Sequence, residues 1–154
     1  MNVYLVQHAE AKTKEEDPQR PLSEKGLADI RKVAAFVAKQ ADMNLSCIMH
    51  SGKTRAQQTS DVLAEYLNPS GGVREAEGLA PLDSPSLWAG RLAEEAEDIM
   101  LVGHLPYMGK LAAHLVSRDE EKKTVDFQMA GIVCLGRDDA GNWSVKWMVV
   151  PQIL

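Results

Sequence analysis

Three short apolar runs in this chain each end on a polar turn carrying an imidazole or a guanidinium group, a pattern that constrains the fold to a sheet feeding functional loops. A strand over Asn2 to Gln7 delivers His8, a strand over Ser46 to Met49 runs into His50-Ser-Gly-Lys-Thr-Arg55, and a strand over Asp98 to Val102 runs into Gly103-His-Leu-Pro106. Unbroken apolar runs of this length suit strands covered on both faces. In open sheets of that kind, ligands bind in the crevice outside the carboxyl ends of the strands. His8, Arg55 and His104 are therefore the first candidates for chemistry.

Between the strands the apolar period changes to that of helices. Ser23 is placed to cap a helix running to about Lys39, with Leu27, Ile30, Val33, Ala34 and Val37 on one stripe. A second helix carries Ala56, Thr59, Val62, Leu63 and Tyr66 and stops at Asn68-Pro-Ser-Gly-Gly72. Arg74 to Glu77 reads as a short edge strand, Ser84 or Ser86 as the cap of a helix through Glu95, and Pro106 to Val116 as the fourth main helix. Gly131 to Leu135 and Trp143 to Val149 are strand-like runs joined by a hairpin turn at Arg137 to Asn142. The expectation is a parallel core with an antiparallel edge. The charged segment from Ala11 to Pro21 is too hydrophilic for the core, whereas Trp88, Trp143 and Trp147 read as core aromatics.

A chain of 154 residues suits one domain, 1–154, able to bury a core without disulfides or a structural metal. Its net charge of -5 argues against a general nucleic-acid binder, while a local pocket can still be positive. Cys47 and Cys134 stand far apart with no C-x-x-C, which points to a reducing compartment and to two core residues. No apolar run approaches the roughly 18 residues of a membrane span, and no signal segment precedes the first strand. A cytoplasmic protein with no membrane partner is expected.

Several motifs fail on inspection. Gly52-Lys-Thr54 looks like the end of a phosphate-binding loop, but that motif needs glycine where Cys47 stands. His8-Ala-Glu10 matches the H-x-E of zinc deaminases without the P-C-x-x-C that completes their metal site. No close ligand pair suggests a metal, and no cofactor is implied. His50 ends a strand beside the proposed pocket and His114 sits in an apolar helical pattern, so both read as structural.

What remains is a constellation for phosphoryl transfer. A neutral imidazole held by one ring nitrogen can attack phosphorus with the other, forming a covalent phosphohistidine that water then hydrolyses. The transferred group carries charge on its oxygens, which a guanidinium fork from Arg55 and a donor on His104 would stabilise. Backbone amides near Ser51 to Thr54, at the start of a helix, would add to this. Each of the three side chains has an ordinary structural explanation alone; their shared placement after three strands singles them out.

Four segments together carry a family resemblance: Val3-Tyr-Leu-Val-Gln-His-Ala-Glu-Ala11, Arg20-Pro-Leu-Ser-Glu-Lys-Gly26, Ser51-Gly-Lys-Thr-Arg-Ala-Gln-Gln-Thr59 and Val102-Gly-His-Leu-Pro106. In order, and over nearly the whole chain, they resemble the histidine phosphatase superfamily, more narrowly its small SixA-type phosphohistidine phosphatases. The resemblance implies a three-layer α/β/α sandwich of the phosphoglycerate mutase-like fold, with a mostly parallel central sheet and an antiparallel edge strand. It implies His8 as the phosphorylated nucleophile, Arg55 and His104 as phosphate-pocket residues, Arg20 as a substrate contact at the rim, and no metal requirement. The partner it implies is a phosphohistidine-bearing protein such as a phosphotransfer domain, or a small phosphorylated substrate.

One departure stands out: where the family has Arg-His-Gly, this chain has Gln7-His8-Ala9. Gln7 offers an amide donor to substrate but neither positive charge nor a fork, and loss of a charged donor at such a site costs on the order of 10²-fold in rate. Lys53 and Arg20 are candidates to compensate. Glu10, Glu77 and Asp83 are all candidate proton donors. A phosphohistidine leaving group, protonated on its own ring nitrogen, has less need of one than a phosphate ester. Two rivals remain: a noncatalytic phosphate- or phosphoprotein-binding module that lost turnover with the arginine, and a metal-dependent hydrolase built on His8, His50 and His104.

Overall fold

The computed structural model describes residues 1–154, and strands and helices alternate along it as the apolar runs require. They are β1 (Asn2–Gln7), α1 (Glu24–Gln40), β2 (Cys47–His50), α2 (Thr54–Leu67), β3 (Val73–Glu75), α3 (Ser86–Glu94), β4 (Ile99–Gly103), α4 (Tyr107–Ser117), β5 (Ile132–Arg137) and β6 (Trp143–Val149), followed by a 3-10 turn at Pro151–Ile153. The six strands form one sheet in the order β3-β2-β4-β1-β5-β6. β1 to β4 pair in parallel, β5 runs against β1, and β6 runs against β5. The antiparallel edge therefore comprises a hairpin, in which β5 alone opposes the parallel strands and the outermost β6 returns to their direction. Its turn closes through the Asp138 amide donating to the Asn142 carbonyl at 2.9 Å and the Asn142 amide donating to Asp138 Oδ1 at 2.8 Å.

Alternation along the central strands builds a core on each face of the sheet. Val3 and Leu5 of β1, Ile99 and Leu101 of β4, and Val133 and Leu135 of β5 pack with Trp88 and Leu92 of α3 and Met108 and Leu111 of α4. Tyr4 and Val6, Met100 and Val102, and Ile132 and Cys134 take the other face, against Ile30, Val33 and Val37 of α1 and Ala56, Val62 and Leu63 of α2. Period-two strands buried on both sides thus produce the three-layer sandwich. Placing α1 and α2 on one face and α3 on the other follows from right-handed crossovers that first move outward to β3 and then return to β4, and α4 packs on the α3 face.

Local details differ from the sequence reading in two helices. On α2 the buried stripe is Ala56, Thr59, Ser60, Val62 and Leu63, and Tyr66 is exposed. Ser60 takes the inner position because its hydroxyl donates back to the Ala56 carbonyl at 2.9 Å, which satisfies it without solvent. At α3 neither serine is the N-cap: Pro85 occupies that position and makes no side-chain cap bond. Trp88 is core, while Trp143 and Trp147 are only half-buried on β6. Cys47 and Cys134 are buried and unbridged. No helix is long and apolar enough to cross a membrane.

Candidate active site

Three neighbouring strands, β2, β4 and β1, end side by side, and that adjacency brings the expected residues together. The His8 amide extends the β1–β4 ladder by one bond, donating to the Gly103 carbonyl at 3.0 Å. The rings of His8 and His104 consequently stand 5.0 Å apart between centroids, tilted by 55°. From the first turn of α2, Arg55 Nε reaches within 3.3 Å of His8 Nε2.

The polar motif residues explain how these elements are held in place. The buried Thr59 hydroxyl accepts from the Ala9 amide at 3.0 Å and donates to the Arg55 carbonyl at 2.7 Å, a strut that ties the end of β1 to the first turn of α2. Ser23 caps α1 by accepting from the Gly26 amide at 3.0 Å and donates to Glu10 Oε1 at 2.8 Å. Gly26 is required by close approach, since a Cβ there would lie 2.0 Å from the Glu10 carbonyl oxygen. Gln58 Oε1 accepts from the Leu22 amide at 2.8 Å, fastening the segment that bears Arg20 to α2.

Hydrogen bonding assigns the imidazole protons. His8 Nδ1 lies 2.7 Å from the Ala9 carbonyl oxygen, which can only accept, so the proton of the neutral ring resides on Nδ1 and the lone pair on Nε2. Burial pushes the His8 pKa down to about 4, with Arg55 and Arg20 adding to the fall and the Ala9 bond opposing it. His104 is pushed down to about 3, mainly by burial and further by His8, Arg55, Lys53 and Arg20. Its Nε2 lies 2.6 Å from Ser51 Oγ, which also receives a weak 3.4 Å contact from the Lys53 amide. The hydroxyl carries one proton and two lone pairs, so it meets Nε2 as donor or as acceptor according to the tautomer, and the other ring nitrogen of His104 is Nδ1. That nitrogen is buried without a hydrogen-bond partner. A neutral imidazole beside a guanidinium, with a second neutral imidazole next to it, forms a set suited to an anionic electrophile.

Residues at the margin divide. Arg20, held in the left-handed region at φ 49°, donates from Nε to the Lys12 carbonyl at 3.1 Å, and its charge acts on His8, Arg55 and His104. Gln7, at the last position of β1, keeps a buried Oε1 with no partner. The candidate proton donors are engaged elsewhere: Glu10 with Ser23, Glu77 with Arg91 at 2.8 Å, and Asp83 with the Ala80 amide at 2.9 Å. The Gly52 amide, expected to face an anion, is instead taken by His50 Nδ1 at 3.0 Å. No group of three or more His, Cys, Asp or Glu residues is arranged to hold a metal ion, and His50 does not join His8 and His104 in one. His114 is half-buried on α4 rather than a core residue. The sequence reading missed Ser51 as the partner of His104 and Thr59 as a strut. A hydroxyl interrupting the apolar stripe of α2 was the available signal for the latter.

A family model for the histidine phosphatase superfamily (branch 1) matches residues 3–97, a span that carries His8 and Arg55 and stops short of His104. Among solved structures, the protein histidine phosphatase SixA complexed with tungstate is similar with a TM-score of 0.86 at 24% identity, over 99% of both chains. A putative phosphohistidine phosphatase SixA from Agrobacterium tumefaciens follows with 0.78 at 22% identity over 97% of both chains. A putative alpha-ribazole-5'-P phosphatase from Escherichia coli gives 0.74 at 13% identity over 98% of both. At these identities the likeness speaks for the fold. No curated protein matches the chain in sequence.

Proposed function

The chain belongs to the histidine phosphatase superfamily (branch 1), and from that premise we propose that it is a metal-independent phosphohistidine phosphatase working through a covalent intermediate on His8. The observation that carries this reading is the tautomer lock: Nδ1 bonded to the Ala9 carbonyl puts the lone pair on Nε2, where Arg55 Nε donates to it at 3.3 Å until a phosphoryl group takes that place. In the first step the Nε2–P bond forms as the P–N bond of the substrate breaks, and the substrate ring, already protonated from solvent on its other nitrogen, departs as neutral imidazole. Water then attacks the phosphorylated His8, releasing phosphate and returning Nε2 to its neutral state. Arg55 and His104 hold the phosphoryl oxygens through both steps, and Arg20 and Lys53 supply further positive charge at the rim.

The substrate class follows from the proton donors. The charges acting on the two imidazoles come from Arg55, Arg20, Lys53 and His8 itself, and each candidate carboxylate is bonded elsewhere. A leaving group that accepts its own proton, such as protein-borne phosphohistidine on a phosphotransfer domain, fits such a site better than a phosphate ester. Similarity to the SixA structures supports the same class. Two unbridged buried cysteines support a cytoplasmic setting.

A second reading, a phosphoprotein-binding module without turnover, is favoured by Gln7, whose buried Oε1 replaces the guanidinium of the family motif. Phosphate release from a phosphohistidine-bearing phosphotransfer domain separates the two. The phosphatase reading expects chelator-resistant release that disappears in His8→Ala and is only modulated by Gln7→Arg. Absence of release by the wild type, with activity appearing in Gln7→Arg, would establish the binding module instead.

A further inference from the structure

His50 lies outside the chemistry described so far, yet it is 5% exposed and aims its ring at the backbone of the turn that carries Ser51. Its Nδ1 accepts from the Gly52 amide at 3.0 Å. Burial lowers its pKa, against the opposing charges of Asp61 and Glu75, so the ring presents a lone pair to that amide. The turn is clamped from the other side as well. His50 pairs with Glu75 across β2 and β3, its carbonyl accepts from the Ala76 amide at 2.9 Å, and the Glu75 carboxylate fills the space beside Gly52. A Cβ on Gly52 would lie 2.3 Å from Glu75 Oε1, and its φ of +90° is one that glycine alone adopts without strain.

We propose that His50 is a positioning residue for the Ser51–Lys53 turn, acting through the Gly52 backbone and never touching substrate. The turn places Ser51 Oγ on His104 Nε2 and launches α2 with Arg55 in its first turn. A side chain that fixes Gly52 therefore governs both the seat of Ser51 on the His104 ring and the approach of the guanidinium to His8. The proposal rests on the phosphatase reading for its consequence in turnover, while its geometric content stands apart from it.

Positional isosteres test it. Asparagine places an oxygen where Nδ1 stands, whereas glutamine places its oxygen near Nε2 and leaves the Gly52 amide unmet. The measurements on wild type, His50→Asn and His50→Gln are kcat/KM on the phosphohistidine-bearing phosphotransfer domain, affinity for orthophosphate, hydrogen exchange of the Gly52 amide, and melting temperature. The expected result is that His50→Asn stays within about threefold of wild type in both functional measures and keeps the Gly52 amide protected. His50→Gln loses about tenfold in both, with rapid Gly52 exchange, the scale of one hydrogen bond that orients a pocket. The two variants melt within about 2 °C of each other. Equal behaviour of the two variants, whether both intact or both impaired, would overturn the positioning role. If the wild type releases no phosphate, the phosphatase reading fails by itself, and orthophosphate affinity with Gly52 exchange still decides the role of His50.

Discussion

Ser51 Oγ lies 2.6 Å from His104 Nε2, so a hydroxyl just beyond β2 holds the ring of an imidazole just beyond β4. Removing that hydroxyl frees His104 to adopt either tautomer and to rotate. Ser51→Ala is expected to lower kcat/KM by about fivefold to tenfold, the equivalent of roughly 1 kcal/mol of orienting hydrogen bond. Nitrogen-15 NMR of the imidazoles would show a single tautomer of His104 in the wild type and a mixture in the variant. An unchanged spectrum would deny Ser51 this role.

Acidity separates this site from one built on ordinary histidines. Since burial and two cations hold His8 near a pKa of about 4 rather than its usual 6.5, kcat/KM should keep its plateau through pH 5.5 and fall only as pH approaches 4. Stability should move the opposite way from a salt-bridged histidine. Unfolding lets His8 and His104 take up protons below about 6.5, while the folded protein resists until about 4 and 3. The stability they contribute is complete above 6.5 and shrinks as pH falls toward the folded values. Urea denaturation at pH 7.5 and pH 5 should therefore show a lower midpoint at pH 5, and His104→Asn should narrow that gap. An acid limb in kcat/KM near 6.5 would contradict the environment assigned to His8.

Far from the site, Arg137 on β5 closes the C-terminal end of α3. Its guanidinium donates to the carbonyls of Leu92, Ala93 (3.0 Å) and Glu95 (2.8 Å), and lies 5.8 Å from the ring centre of Trp143. These are the carbonyls a helix end leaves unsatisfied. Arg137→Ala should cost about 2 kcal/mol in chemical denaturation, with Arg137→Lys recovering only part because an ammonium cannot span three acceptors. Activity at 25 °C should be unaffected, since this end of the sheet is opposite His8.

The legible part of the chain was what local pattern encodes. Apolar runs announced the strands, Ser23 announced the start of α1, and the turn at Arg137 to Asn142 announced the hairpin. His8, Arg55 and His104 could be found because each follows a strand directly, so the sheet itself dictates their position. Thr59, Ser51 and His50 could not be assigned in the same way. Their roles are hydrogen bonds between elements, fixed by the rotation of α2 about its axis and by the path of a glycine turn. The candidate acids show the same limit, for proximity in sequence gave no sign that Ser23, Arg91 and the Ala80 amide would claim them first.

The reversed direction of β5 has an evolutionary consequence. A purely parallel sheet sends chain outward from the end where its ligands bind. Here residues 118–131 arrive there from α4, and the Ala130 amide donates to the Gln7 carbonyl at 3.1 Å beside His8. Val125, Phe127 and Ala130 within that segment are buried in the two cores, so its length is free to vary only in the stretch 118–124 that precedes them, outside the regular helices and strands. Such a fold can change what it admits by altering the length of that one stretch, with His8 and its supports inherited unaltered.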